Sequence, residues 1–337
     1  MTLAVARIQK GRIAVVSDTL LIEHEKQLPH QAGVLKTCLL PGDLCVSFAN
    51  SPELAEAAFT HFRSEYPHGA SFANVTKFFE KSSAETGNDY ILAFFSTPKL
   101  VKVINGKRIP SVAKTVWIGD KFAYERFREY ECHARPFPQH GRTINGAFFA
   151  DEFESSPASD LFSAMRNVIL DNEITTVGGF AYTVSTRDNG FRQSAYCDIY
   201  YDWPSGVDAN FQLDRNDPID FGASGENFEY SVAQISPGFM GINAAGFYLV
   251  KAKKLFFFFG AQFGPAHRCE VFNDVEPTEI KTVLTAACGI NLNWLITVAS
   301  SAPNSVGTHY ALRPSEGPKG ASFPFLMHEN TFPTPTA

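Results

Sequence analysis

The amino-acid sequence predicts an α+β fold, a four-layer αββα sandwich of two antiparallel sheets between helix layers, continued by a β-rich C-terminal extension. Three observations carry this expectation. The 337 residues, 45% hydrophobic and 19% charged, suffice for a large buried core. Runs of strands are separated by runs of helices, an order that suits two sheets packed between helix layers. Within the strand runs the segments are short and joined by tight Gly, Pro and Asn turns.

Residues 2–9, 12–18, 35–40 and 44–49 read as four strands, punctuated by Lys10-Gly11 and Pro41-Gly42-Asp43. At Ser51 the signal changes. Ser51-Pro52-Glu53-Leu54 offers an N-cap, a proline at the first helical position and an acid in the first turn, which predicts a helix over 52–66. A second helix over 72–85 follows from Val75, Phe78 and Phe79 at helical spacing, and it ends before Gly87-Asn88. Strands at 90–96, 100–105 and 114–118 lead to Gly119-Asp120 and a helix over 121–130. Residues 131–157, rich in Pro, Gly and His, read as an irregular excursion. Leu161, Phe162, Met165, Val168 and Ile169 mark an amphipathic helix over 160–173 with Ser159 as its cap. Asp188-Asn189-Gly190 joins strands at 178–187 and 193–201 into a hairpin. Short strands then fall at 228–235, 238–242, 246–250 and 254–262, followed by a helix near 277–288. The expected organisation is a core over 1–200, a β-rich continuation over 201–311 and a Pro-rich, loose tail over 312–337.

Composition excludes several classes of function. A formal net charge of −6 without a local Lys or Arg cluster gives no footprint for nucleic acid. The densest apolar run, 255–264, is too short to span a bilayer and reads as a buried strand, so no membrane partner is expected. Its four aromatics Phe256 to Phe259 cover both faces and suit burial between layers rather than a ligand pocket. The N-terminus enters a strand pattern with neither a charged lead nor an apolar signal segment, which predicts a cytoplasmic protein. Cys38, Cys45, Cys132, Cys197, Cys269 and Cys288 form no CxxC pair and read as reduced, mostly buried thiols. The nine histidines lack HExxH or HxH spacing, and Asp151-Glu152-Phe153-Glu154 reads as a solvated acidic run, so neither a metal nor a cofactor is assigned. Ser47 lacks the glycines of a nucleophile elbow. The excess of 31 Phe with 11 Tyr implies an aromatic core or a subunit interface, and hence a possible homo-oligomer.

The N-terminal pattern carries the functional signal. Thr2, an apolar strand, the Gly11 turn, a second apolar strand and Asp18-Thr19 together resemble the start of a mature proteasome β-subunit, of the N-terminal-nucleophile (Ntn) hydrolase superfamily. Counted from Thr2, the spacing to Asp18 matches that family without a gap. The block from Lys36 to Asn50 resembles its lysine strand and hairpin return, reached after a two-residue insertion in the loop following Thr19. Trp117-Ile118-Gly119-Asp120 resembles the family's turn before a helix, and Val177-Gly178-Gly179 its Gly-Gly strand start. The likeness covers residues 2–200.

The resemblance implies an amide-bond hydrolase acting on a peptide or amide substrate, with catalytic residues Thr2, Asp18, Lys36, Asn50 and Asp120. A chain-terminal threonine brings its own base, because an α-amine has an unperturbed pKa of about 8. Lys36 would lower the pKa of the Thr2 hydroxyl, Asp18 would compensate that buried ammonium, and the Asn50 N–H would donate to the oxyanion. Exposure of Thr2 requires removal of Met1 by methionine aminopeptidase. Asn50 stands where the family has glycine and brings a side chain toward the substrate; Asp120 stands where it has serine; the acid preceding the Gly-Gly pair falls near Asp171 or Glu173. These departures favour an alternative, a catalytically silent subunit that serves as an assembly or binding scaffold. A third reading, an unrelated β-rich binding protein, requires the N-terminal strand on a sheet edge and Lys36 in solvent.

Overall fold

The computed structural model describes residues 2–21, 31–109, 114–133, 157–187, 190–193, 197–200, 232–235, 244–249, 252–259, 269–275, 279, 282–283, 286, 294–300 and 308–314. Its elements are, in chain order, β1 (Leu3–Gln9), β2 (Arg12–Ser17), β3 (Thr37–Leu40), β4 (Leu44–Ala49), α1 (Pro52–Glu65), α2 (Phe72–Thr86), β5 (Asp89–Phe94), β6 (Lys99–Ile104), β7 (Lys107–Ile109), β8 (Thr115–Gly119), α3 (Lys121–His133) and α4 (Pro157–Leu170). There follow β9 (Tyr182–Arg187), β10 (Gly190–Gln193), β11 (Cys197–Tyr200), β12 (Val232–Ile235), β13 (Ala244–Leu249), β14 (Lys254–Phe259), β15 (Cys269–Phe272), β16 (Trp294–Ser300) and β17 (Thr308–Pro314).

Two five-stranded antiparallel sheets, ordered β10-β9-β2-β1-β8 and β3-β4-β5-β6-β7, form the central layers. Strand β4 is buried along its whole length, because a strand between a facing sheet and a helix layer has no solvent face. On the outer side of its sheet, α1 and α2 bury Ala55, Phe59, Phe62, Val75 and Phe79 against Val46, Phe48, Tyr90 and Leu92. Phe59 lies 5.8, 6.3 and 6.5 Å from the rings of Phe48, Phe79 and Tyr90 in edge-on and tilted contacts. Burying one such side chain is worth roughly 1.5–3 kcal/mol. Ser51 caps α1 by accepting from the Leu54 N–H, and Ser71 caps α2 by accepting from the Asn74 N–H.

The second core is shared. It joins Ile91 and Ala93 of the first helix-bearing sheet to Val5, Ile13 and Val15 of the other, and continues to Phe127 of α3 and Leu161, Met165 and Val168 of α4. Helices, two sheets and helices thus make four layers, the αββα arrangement expected from the element order.

A third sheet, β11-β12-β13-β14-β15, follows in the chain. Phe180 ties it to the core: its ring stacks on Phe247 at 4.4 Å and lies 5.1 and 5.7 Å from Phe256 and Phe258. Phe256, Phe257 and Phe258 are all buried, as the aromatic run predicts. Strands β16 and β17 pair only with each other among the described residues.

Several expectations shift. Helix α4 starts at Pro157, not residue 160, since proline needs no N–H bond in the first turn; Ser159 is therefore inside the helix rather than its cap. Strand β7 was not foreseen, because its three residues are all exposed and carry no apolar alternation. Residues 178–181, expected as strand, are irregular around Gly179 at φ 77°. Strands β15, β16 and β17 were also missed. The excursion over 134–156, the strand at 238–242, most of the helix at 277–288 and the tail beyond 314 lie outside the described residues. Among the described residues no helix is long and apolar enough to cross a membrane.

Candidate active site

Thr2 sits at the start of β1, which runs between β2 and β8 in the interior of its sheet. This central position removes the reading of β1 as an edge strand. The β1–β8 ladder ends on the pair Leu3 and Gly119, and the Asp120 N–H extends it by donating to Thr2 O at 2.7 Å. Gly119, at φ 102°, is obligatory here: a Cβ would stand 1.8 Å from Thr2 O.

Strand β2 delivers Asp18 to the same place, fixed by its N–H donating to Leu3 O at 3.2 Å. Asp18 Oδ1 accepts from Thr2 Oγ1 at 2.9 Å, from the Leu3 N–H at 3.0 Å and from Lys36 Nζ at 2.9 Å. Its Oδ2 accepts from Lys36 Nζ at 2.9 Å, the Leu20 N–H at 3.2 Å and the Gly178 N–H at 3.3 Å. Thr2, Asp18 and Lys36 are 2%, 0% and 3% exposed, so this ion pair is dry and its cost of desolvation is met by saturating the carboxylate with donors.

Lys36 immediately precedes β3, and its carbonyl accepts from the Phe48 N–H at 3.0 Å, which anchors the lysine to the sheet opposite Thr2. Burial lowers the ammonium below the ordinary lysine value, while the charge and hydrogen bonds of Asp18 oppose that shift. Beside the pair a buried chain of hydroxyls links the two sheets: Thr37 Oγ1 donates to Ser17 Oγ at 3.0 Å and shares a 2.7 Å bond with Ser47 Oγ. Lys36 is thus not the solvated lysine that the third reading requires.

Asp120 approaches Thr2 by its backbone, while its carboxylate turns to α3 and to a neighbouring loop. Oδ1 accepts from the Ala123 N–H at 3.1 Å, the geometry of a helix cap, and Oδ2 accepts from Thr176 Oγ1 at 2.6 Å. Thr176, just ahead of Val177-Gly178-Gly179, has no sequence signal of its own. Behind it, Gly179 packs so close to Thr19 that a Cβ would meet Thr19 Oγ1 at 2.3 Å. The same Thr19 hydroxyl accepts from the Phe180 N–H at 2.9 Å.

Asn50 follows β4, exposed and at φ 87°. Its side chain is engaged within the fold: Nδ2 donates to Gly87 O at 2.8 Å, because the carbonyl ending α2 comes within reach of the corner. Asp171 stands apart from Thr2 in its partners. It accepts from Tyr130 OH at 2.7 Å and from Arg126 Nε at 3.2 Å, and Glu173 lies 3.5 Å from the same guanidinium, so this acid joins α3 to the end of α4. Burial and the Asp171 carboxylate push the Tyr130 phenol up to about 12.

Among the described residues, no group of three or more His, Cys, Asp or Glu side chains could hold a metal ion. Cys38 and Cys45 are buried thiols and Cys269 is a half-buried one, and none of the three is in a disulfide. Chemically, the site brings a threonine hydroxyl and a buried ammonium onto one oxygen atom of a saturated carboxylate, an arrangement that holds the hydroxyl in a fixed rotamer beside a positive charge.

No family model matches the chain, and a search of curated proteins finds no match. Among solved structures, the chain is similar to the Anbu (Gly-1) mutant from Hyphomicrobium sp. strain MC1, at 14% identity over 57% of this chain and 86% of that one, with a TM-score of 0.39. It is also similar to eukaryotic HslV from Trypanosoma brucei, at 14% identity over 55% of this chain and 98% of that one, with a TM-score of 0.37.

Proposed function

We propose that this chain is an amide-bond hydrolase, a peptidase or amidohydrolase, whose nucleophile is the Thr2 hydroxyl once Met1 has been removed. The observation that supports it is the convergence of Thr2 Oγ1 and Lys36 Nζ on Asp18 Oδ1, each at 2.9 Å, in a fully buried setting. A charged pair costs several kcal/mol per ion to desolvate, and stability alone gives little reason to keep one beside a threonine.

In the proposed reaction Thr2 Oγ attacks the substrate carbonyl carbon and its proton passes to the freed α-amine. Lys36 stabilises the developing oxygen charge, and Asp18 keeps Lys36 protonated. The Asn50 N–H donates to the oxyanion of the tetrahedral intermediate, an interaction worth about 10²–10³ in rate at comparable sites. Collapse breaks the C–N bond, and the departing amine takes the proton held by the α-amine. Water, deprotonated by the same amine, then hydrolyses the Thr2 ester and restores the hydroxyl. Asp120 and Thr176 fix the start of β1 through the Thr2 carbonyl.

One observation favours the scaffold reading instead. Thr2 is only 2% exposed, so a substrate reaches it only if removal of Met1 or a local opening uncovers it. Intact mass spectrometry separates the two. The protein is weighed before and after exposure to a β-lactone that acylates terminal threonine, with Thr2→Ala as control. Loss of Met1 and a single adduct abolished by Thr2→Ala is the expected outcome. Retained Met1 with no adduct would falsify catalysis and leave a scaffold.

A further inference from the structure

Where β4 and β5 run out, their ladder ends on the pair Ala49 and Asp89. Beyond that pair the two chains are held by side chains instead of backbone. Asn88, fully buried, presents its amide to Ser51 as another strand would: Oδ1 accepts from the Ser51 N–H at 2.7 Å, and Nδ2 donates to Ser51 O at 3.0 Å. The neighbouring Asn50 reciprocates by donating to Gly87 O at 2.8 Å. Asn88 is itself fixed, since its N–H donates to Thr86 Oγ1 at 3.2 Å, and that hydroxyl donates to Ser82 O at 2.7 Å in the last turn of α2. Two asparagines therefore clamp residues 50–51 to residues 87–88 across a gap that the sheet no longer spans.

The clamp acts on a corner where Asn50 holds φ 87°, in the left-handed region that asparagine enters more readily than other residues with a Cβ. The same residue carries the N–H assigned to the oxyanion. A donor of that kind works only when aimed within a few tenths of an ångström of where charge develops.

We propose that Asn88 is a positioning residue for the oxyanion corner, a role that rests on the hydrolase reading of Thr2. It touches neither substrate nor nucleophile. Its bidentate grip on Ser51 fixes the Asn50–Ser51 peptide plane and the one after it, and through the Asn50 Cα it constrains the adjoining plane that carries the Asn50 N–H.

The test compares acylation by a β-lactone in the full-length wild type, Asn88→Ala, Asn88→Asp and Val103→Ala. Attack by Thr2 Oγ opens the lactone ring at its acyl C–O bond, and the alkoxide released takes up the hydroxyl proton, so the adduct carries the whole mass of the probe. Asn88→Ala is expected to lower the rate at saturating lactone by about 10²-fold while leaving the half-saturating concentration unchanged, the signature of an interaction made only in the transition state. Asn88→Asp keeps the acceptor for the Ser51 N–H and loses the donor to Ser51 O, so its rate falls between the two; it also carries the comparison if Asn88→Ala does not fold. Val103→Ala, which hollows the fully buried core between α2 and its sheet, loses thermal stability but acylates at the wild-type rate. Equal rates for folded Asn88→Ala and Val103→Ala overturn the positioning role and leave the hydrolase intact. A wild type with free Thr2 that takes no adduct overturns both.

Discussion

Beneath α1 and α2, Phe48, Phe59, Phe62, Phe79 and Tyr90 fill the space between helices and sheet with rings in edge-on and tilted contact. At the meeting ends of β1, β2 and β3, the same molecule instead encloses Thr2, Ser17, Asp18, Lys36, Thr37 and Ser47. Both regions are equally dry. In the first, the surface removed from water is apolar apart from the Tyr90 hydroxyl, which shares a 3.0 Å bond with Ser82, and its burial contributes favourably. In the second, desolvation opposes folding, and only a complete set of hydrogen bonds offsets it. What differs is the reason each is kept: the ring lattice holds the fold up, whereas the polar region survives inside a fold that other contacts stabilise. Buried polarity with no net benefit to stability is where function is to be sought.

Substitutions sharpen that contrast. Phe59→Ala should lower unfolding free energy by about 3–5 kcal/mol in urea titration, because it empties a ring site that rigid neighbours cannot refill. The folded fraction should acylate at Thr2 as wild type does. Asp18→Asn should cost roughly 3 kcal/mol, since one accepting oxygen becomes an NH2 that faces donors and Lys36 is no longer neutralised. Here acylation should vanish together with stability. Should Asp18→Asn acylate normally, the two regions would not be divided as described.

The smallest effect is a pH dependence. Burial depresses the Lys36 pKa in the folded chain below the value of 10.5 it regains on unfolding. Between those two values the unfolded chain binds the extra proton, so stability should rise with pH across that window, by at most about 1.4 kcal/mol per pH unit. Lys36→Met should flatten this slope. Urea midpoints collected from pH 8 upward provide the check, and an unchanged slope in Lys36→Met would assign the dependence to other groups.

The elements most legible in the sequence were those with redundant signals. Helix α1 was marked by Ser51, Pro52 and Glu53 at once, and its start at Pro52 agrees with the structure. Strand β4 is delimited by a turn and a helix cap and matches residue for residue. Strand β7 has neither apolar alternation nor length, since it only closes an edge with Lys107, Arg108 and Ile109 exposed. The candidate site was legible only through the family pattern that residues 2–50 resemble as a set, and not through any residue taken alone. Nothing in Lys36 itself announces burial; its burial follows from Asp18 arriving on a strand of the opposite sheet. Asn88 and Thr176 were illegible for a related reason. Each acts on a residue far away in the chain, and each lies in a segment that reads locally as a turn.

Phe180 has one further consequence. Its N–H is committed to Thr19, a neighbour of Asp18, while its ring is committed to Phe247, Phe256 and Phe258 of the third sheet. The two halves of one amino acid therefore answer to different parts of the chain. A protein shortened to its first 200 residues would expose the bare aromatic face of Phe180, whose N–H holds the neighbour of Asp18, and would be a poor surrogate for the whole.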